Sequence, residues 1–178
     1  MQYAPMTSYE EIWGVAEDWI GIITFKQIIE LGIRKQLVNS MMRIGMLVKL
    51  GHGVYKVKHH DPGEFDGYAI AVAIAGPTAY LRGASVIALL GLAPTNPSMM
   101  YVGATGRVRR RLPDGYELHD ACQCPVVEYE RIRCQPVALA LKEARDSGQL
   151  DADRVAEAAL TALEKGYITD EESAEFQG

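Results

Sequence analysis

The sequence predicts an α+β fold: an N-terminal winged helix-turn-helix followed by a small mixed α+β domain ending in helices. Three observations predict it. Two capping boxes open amphipathic helical runs before residue 45. Two strand-like runs then follow at once around Gly51-His52-Gly53. Beyond residue 98, short β-type runs give way to acidic helical runs. The domains are read as 1–60 and 65–178, joined by Asp61-Pro62-Gly63-Glu64, a linker by composition.

Ser8 and Glu11 read as the first capping box, S-x-x-E. Ile12, Val15, Ala16, Trp19 and Ile20 recur at helical spacing, so a helix is expected from about Tyr9 to Asp18, broken by Gly21. Thr24 and Gln27 form the second box, with Phe25, Ile28 and Ile29 as its buried face and Gly32 beyond its end. A third helix is expected from about Arg34 to Ile44. Ile33, Leu37, Met41 and Ile44 are taken as its inward face. Its outward strip is then Lys35, Gln36, Asn39, Ser40 and Arg43, which contains no acid. It offers two cations and three side chains able to hydrogen-bond base edges. Gly45 closes the helix. Met46 to Leu50 and Val54 to Lys58 read as a hairpin around the glycine turn. Lys49, His52, Lys56 and Lys58 are candidate phosphate contacts from the wing, and Lys26 and Arg34 from the helices.

Charge follows the same division. The net charge is −5, yet residues 22 to 58 hold seven bases and one acid, and residues 107 to 111 hold Arg107, Arg109, Arg110 and Arg111. Residues 140 to 178 hold ten acids and four bases. A basic segment in an acidic chain is the footprint of one module meeting phosphates. The arginine run has two readings: a further contact to DNA or a partner, or a solvated loop. The whole unit also has an alternative, a protein-interaction module that binds a toxin or host factor without specific DNA recognition.

In the second domain, helices are expected at Tyr68 to Ile74 and Ala84 to Leu90, and strands at Met99 to Val102, Gly115 to Leu118, Val126 to Tyr129 and Ile132 to Cys134. Pro136 opens a helix through Ala144, Asp151 opens another to about Lys165, and Thr169 with Glu172 caps a last one.

The runs Ile33 to Leu47 and Gly53-Val54-Tyr55, the stretch Pro77-Thr78-Ala79-Tyr80-Leu81-Arg82-Gly83-Ala84-Ser85 with Gly91-Leu92, and the step from Glu128-Tyr129-Glu130 to Cys134-Gln135-Pro136-Val137-Ala138-Leu139-Ala140 resemble AbiEi-type antitoxins of type IV toxin–antitoxin systems, with a shortened C-terminal domain. The resemblance implies a transcriptional repressor that binds double-stranded DNA at inverted repeats in its own promoter. It also implies antagonism of a nucleotidyltransferase toxin.

Other classes find little support. His119, Cys122, Cys124 and Cys134 are zinc-type residues, but H-x2-C-x-C-x9-C matches no common zinc spacing. A C-x-C pair on one strand face is explained by packing. No phosphate loop, nucleophile elbow or H-E-x-x-H run occurs, and His59-His60 reads as wing edge or linker. No enzyme and no cofactor are expected. The opening residues are acidic, unlike a secretory leader, and Ala69 to Gly76 is too short to span a bilayer, so a soluble cytoplasmic protein is expected.

Overall fold

A computed structural model describes residues 7–119 and 121–177 as mixed α+β, with two separate sheets. The chain divides into two compact units, Met1–Ile74 and Ala75–Gly178. Among the described residues no helix is long and apolar enough to cross a membrane.

The first unit begins with α1 (Ser8–Glu17). Its cap is Thr7 with Glu10, one residue earlier than the expected Ser8 and Glu11: Thr7 Oγ1 accepts from the Glu10 N–H, and Glu10 accepts from the Thr7 N–H. Adjacent hydroxyls and adjacent glutamates make both frames available to the same helix, and the structure takes the earlier one. β1 (Ile22–Thr24) was not expected from sequence. It flows directly into α2 (Phe25–Glu30), where the Thr24–Gln27 box forms as expected. Ile28 is fully buried, but Ile29 lies on the exposed side, since a six-residue helix buries only a narrow face. After a left-handed Gly32, α3 (Lys35–Arg43) follows, and Gly45 ends it at φ +75°.

β2 (Leu47–Gly51) and β3 (Val54–Val57) form the hairpin, with a bulge between Lys49 and Gly51. β3 also pairs antiparallel with β1, so it is the central strand of a three-stranded sheet, order β1-β3-β2. Ile23, Tyr55, Val57 and Leu47 point to one face. They close a core with Ile12 and Ala16 of α1, Ile28 of α2, and Val38 and Met41 of α3. α4 (Asp66–Ala75) belongs with this unit rather than opening the next one. The reason is local: Asp66 pairs with Lys56 of β3, and Ile74 packs over Gly51 of β2.

The second unit is a five-stranded mixed sheet, order β6-β5-β4-β8-β7, built from β4 (Ala79–Leu81), β5 (Met100–Ala104), β6 (Tyr116–His119), β7 (Val127–Tyr129) and β8 (Ile132–Cys134). α5 (Ala84–Leu89), α6 (Val137–Asp146), α7 (Ala152–Glu164) and α8 (Asp170–Ala174) pack in succession, each on the next. Asp151 caps α7, and the Thr169–Glu172 box caps α8, both as expected.

A polar knot holds the first turn of α5. Arg82 Nε donates to Glu143 Oε1 at 2.6 Å, with both side chains under 15 % exposed. Glu143 also accepts from Gln135 and Gln149, whose own carbonyls accept the N–H groups of Gly83 and Ala84. Ser85 Oγ accepts from the Tyr101 N–H. A buried charge pair whose members are also hydrogen-bonded avoids the cost of an orphaned ion.

Tyr80 and Gly103 face each other across β4 and β5, and the Tyr80 ring lies over the glycine. A Cβ at residue 103 would collide with the Tyr80 ring. Gly103→Ala should therefore cost roughly 1–3 kcal/mol through overpacking, seen as a lower urea midpoint at unchanged slope.

Candidate nucleic-acid interface

α3 is where the sequence reading placed base recognition. The side facing the core is set by Val38 and Met41, both buried, with Met42 partly so. The expected inward face was Ile33, Leu37, Met41 and Ile44. Ile33 and Met41 are buried, but Leu37 is 40 % exposed and Ile44 is 66 % exposed. Ile33 precedes the helix, which begins only at Lys35, so its direction is not tied to Leu37 by helical spacing. The periodicity had joined a loop residue to a helical phase it does not share.

Lys35, Gln36, Asn39 and Arg43 remain on the solvent side, and none has a side-chain partner among the described residues. Ser40 is half-buried, and its hydroxyl donates to the Gln36 carbonyl at 3.0 Å. That back-bond commits its one proton, leaving only acceptor capacity. Leu37 and Ile44 stand seven residues apart and so share a side, next to the polar strip. Arg34, the residue before the helix, gives no side-chain cap and is exposed.

The candidate phosphate contacts divide. Lys49 and Lys58 are exposed on the hairpin, and His52 sits exposed at its turn. Lys26 reaches Glu30 at 3.7 Å, an exposed pair of small energetic weight. Lys56 differs from all of these. It ion-pairs with Asp66 at the start of α4, and the two side chains are only 17 % and 12 % exposed. This takes Lys56 out of the surface set. Asp66 was missed in the sequence reading, and an aspartate opening an alanine-rich helix carries no local sign of a partner ten residues back.

Of the arginine run, Arg107, Arg109 and Arg111 are exposed and Arg110 is half-buried. All four lie in the irregular connection between β5 and β6 of the second unit. Among the described residues, no three His, Cys, Asp or Glu side chains gather as a metal site. Cys122 and Cys124 lie in an irregular segment, not on the strand that the packing explanation assumed. Cys134 is fully buried in β8, and burial pushes its thiol up to about 12. Burial also raises the thiol of Cys124. His60 packs against Gly21 at the end of the first sheet, and the His59 ring meets Tyr9 edge-on.

No family model matches the chain, and no curated protein matches it. Among solved structures it is similar to the RV2827C protein from Mycobacterium tuberculosis, at 14% sequence identity and a TM-score of 0.35, over 97% of this chain and 81% of that one.

Two measurements check this geometry. Asp66→Ala strands the Lys56 ammonium and should cost about 3 kcal/mol in urea unfolding, whereas Lys56→Met with Asp66→Leu should restore most of it. In native protein, a thiol reagent at pH 8 should leave Cys134 unlabelled until denaturant is added, because neither the thiolate nor access is present.

Proposed function

We propose that the chain is a sequence-specific DNA-binding repressor of the AbiEi antitoxin type, with residues 24 to 58 acting as a winged helix-turn-helix. α3 is the recognition helix and the β2–β3 hairpin is the wing. The observation that carries the reading is the solvent face of α3. It has no acid, two cations, and two amides with no side-chain partner among the described residues, Gln36 and Asn39. Asn and Gln bidentate to adenine, and Arg or Lys to guanine, are the pairings such a face supplies.

Within this reading, Lys35, Gln36, Asn39 and Arg43 contact base edges. Arg34, Lys49, His52 and Lys58 contact phosphates and set register. Lys56 supports the hairpin from behind through Asp66. Autoregulation of an operon and antagonism of a nucleotidyltransferase toxin belong to the same proposal and rest on the family resemblance. The acidic α6–α8 segment, with Leu139 and Leu160 exposed on it, favours a protein partner there and is what supports the alternative of an interaction module.

A mobility-shift assay on the protein's own upstream region tests the proposal. Binding no tighter there than to random duplex would sink it. Asn39→Ala should cost about 1–3 kcal/mol and relax sequence preference, while Lys49→Ala should weaken all duplexes alike and lower the salt slope by about 1.

A further inference from the structure

α3 shows solvent two unlike strips side by side. Gln36, Asn39 and Arg43 offer donors and charge. Leu37 and Ile44 offer hydrocarbon. Ser40 stands between them, three residues from one leucine and four from the isoleucine, with its proton given to the Gln36 carbonyl. Along Leu37, Ser40 and Ile44 themselves no side-chain donor is left, while Arg34 and Gln36 flank Leu37.

Leu37 also walls an open groove of about 470 Å³. Ile33 and Leu37 give it apolar surface, and Arg34, Gln36, Ser40 and Ser8 of α1 supply its polar lining. Among the described residues no carboxylate lines it, and cations stand at Arg34 and at the neighbouring Lys35. A single exposed leucine is ordinary on a protein surface. Here it sits beside the base-reading strip, in a depression rimmed by positive charge. That charge favours a ligand that carries phosphates close to an apolar group. In the major groove of DNA one base meets this description, because the thymine C5-methyl is the apolar group on that edge.

We infer that Leu37, with the methylene of Ser40, receives a thymine C5-methyl and is a specificity-determining residue of α3. The inference rests on the DNA-binding reading above. It assigns thymine to the base facing the Leu37 edge, and purine contacts to the Gln36, Asn39 and Arg43 edge. Burial of one methyl group is worth about fourfold in affinity.

The test uses the full chain and a duplex library with a randomised centre. In the duplex that the protein enriches, each thymine is replaced in turn by deoxyuridine, which removes the methyl and keeps base pairing. One or two replacements should weaken wild-type binding about fourfold. Leu37→Ala should bind the thymine and uridine duplexes equally. Leu37→Met should keep part of the discrimination, and Gln36→Ala should keep all of it. Melting curves matching wild type place these effects on recognition rather than folding. Enrichment of a defined sequence with every uridine replacement neutral overturns the inference and leaves the DNA reading standing. Undiminished discrimination by Leu37→Ala does the same. Enrichment of no sequence overturns both.

Discussion

The burial of Val38 and Met41 is the constraint on which the rest of the first unit depends. These two side chains seat α3 against Leu47, Tyr55 and the helices α1 and α2. Turning the helix by one residue would expose Val38, at roughly 1.5–3 kcal/mol, and bring Asn39 toward the core in one sense or Leu37 with Ser40 in the other. The rotation of α3 is thereby set by packing rather than by its polar residues. Everything that faces water on this helix, including the amides and the unexpected leucine, is a consequence of what two apolar residues do on the other side. β1 contributes from below, since Ile23 completes the sheet face on which those residues rest.

The second unit is organised differently. Its sheet is mixed, and chain segments distant in sequence meet at the β4–α5 junction. There the backbone N–H groups of Gly83 and Ala84 have no side-chain cap from their own helix. Gln135 and Gln149 supply the acceptors from more than fifty residues away, and Glu143 aligns both amides while pairing with Arg82. Arg82 and Gly83, just after β4, and Gln135, just before α6, meet at this knot. Each has a folding explanation here: an arginine that pairs with Glu143, a glycine at φ +50° beside the Gln149 amide, and a glutamine that reaches back.

How much was readable in advance follows from the range of each interaction. The Thr24–Gln27 and Thr169–Glu172 boxes satisfy helix ends within four residues, so composition reveals them. Glycine stops such as Gly45 are equally local. β1 escaped because two isoleucines and a threonine between two helical runs carry no period of their own, and only pairing with β3 makes them a strand. The inward face of α3 was misjudged by one residue because Ile33 was counted as helical. Lys56 looked like a wing cation because nothing near it in sequence announces Asp66. In the candidate site, the polar strip was legible from spacing alone. The exposure of Leu37 and the back-bond of Ser40 were not, since both depend on where the core takes hold.

The length of α3 has one further consequence. Nine residues at 1.5 Å each make a rod of about 14 Å. Laid along duplex DNA, that rod spans about four base pairs at 3.4 Å each. Four base pairs define a word that recurs about once in every 256 by chance, while a genome offers about a million or more competing registers. One copy of this helix therefore holds too little information to address a single promoter. On the DNA reading, a second copy reading a repeated word at a set spacing brings the recurrence to about one in 65,000, so contacts beyond α3, such as those of the β2–β3 hairpin, have to supply the rest, and the information limit of one short helix becomes a requirement on the operator.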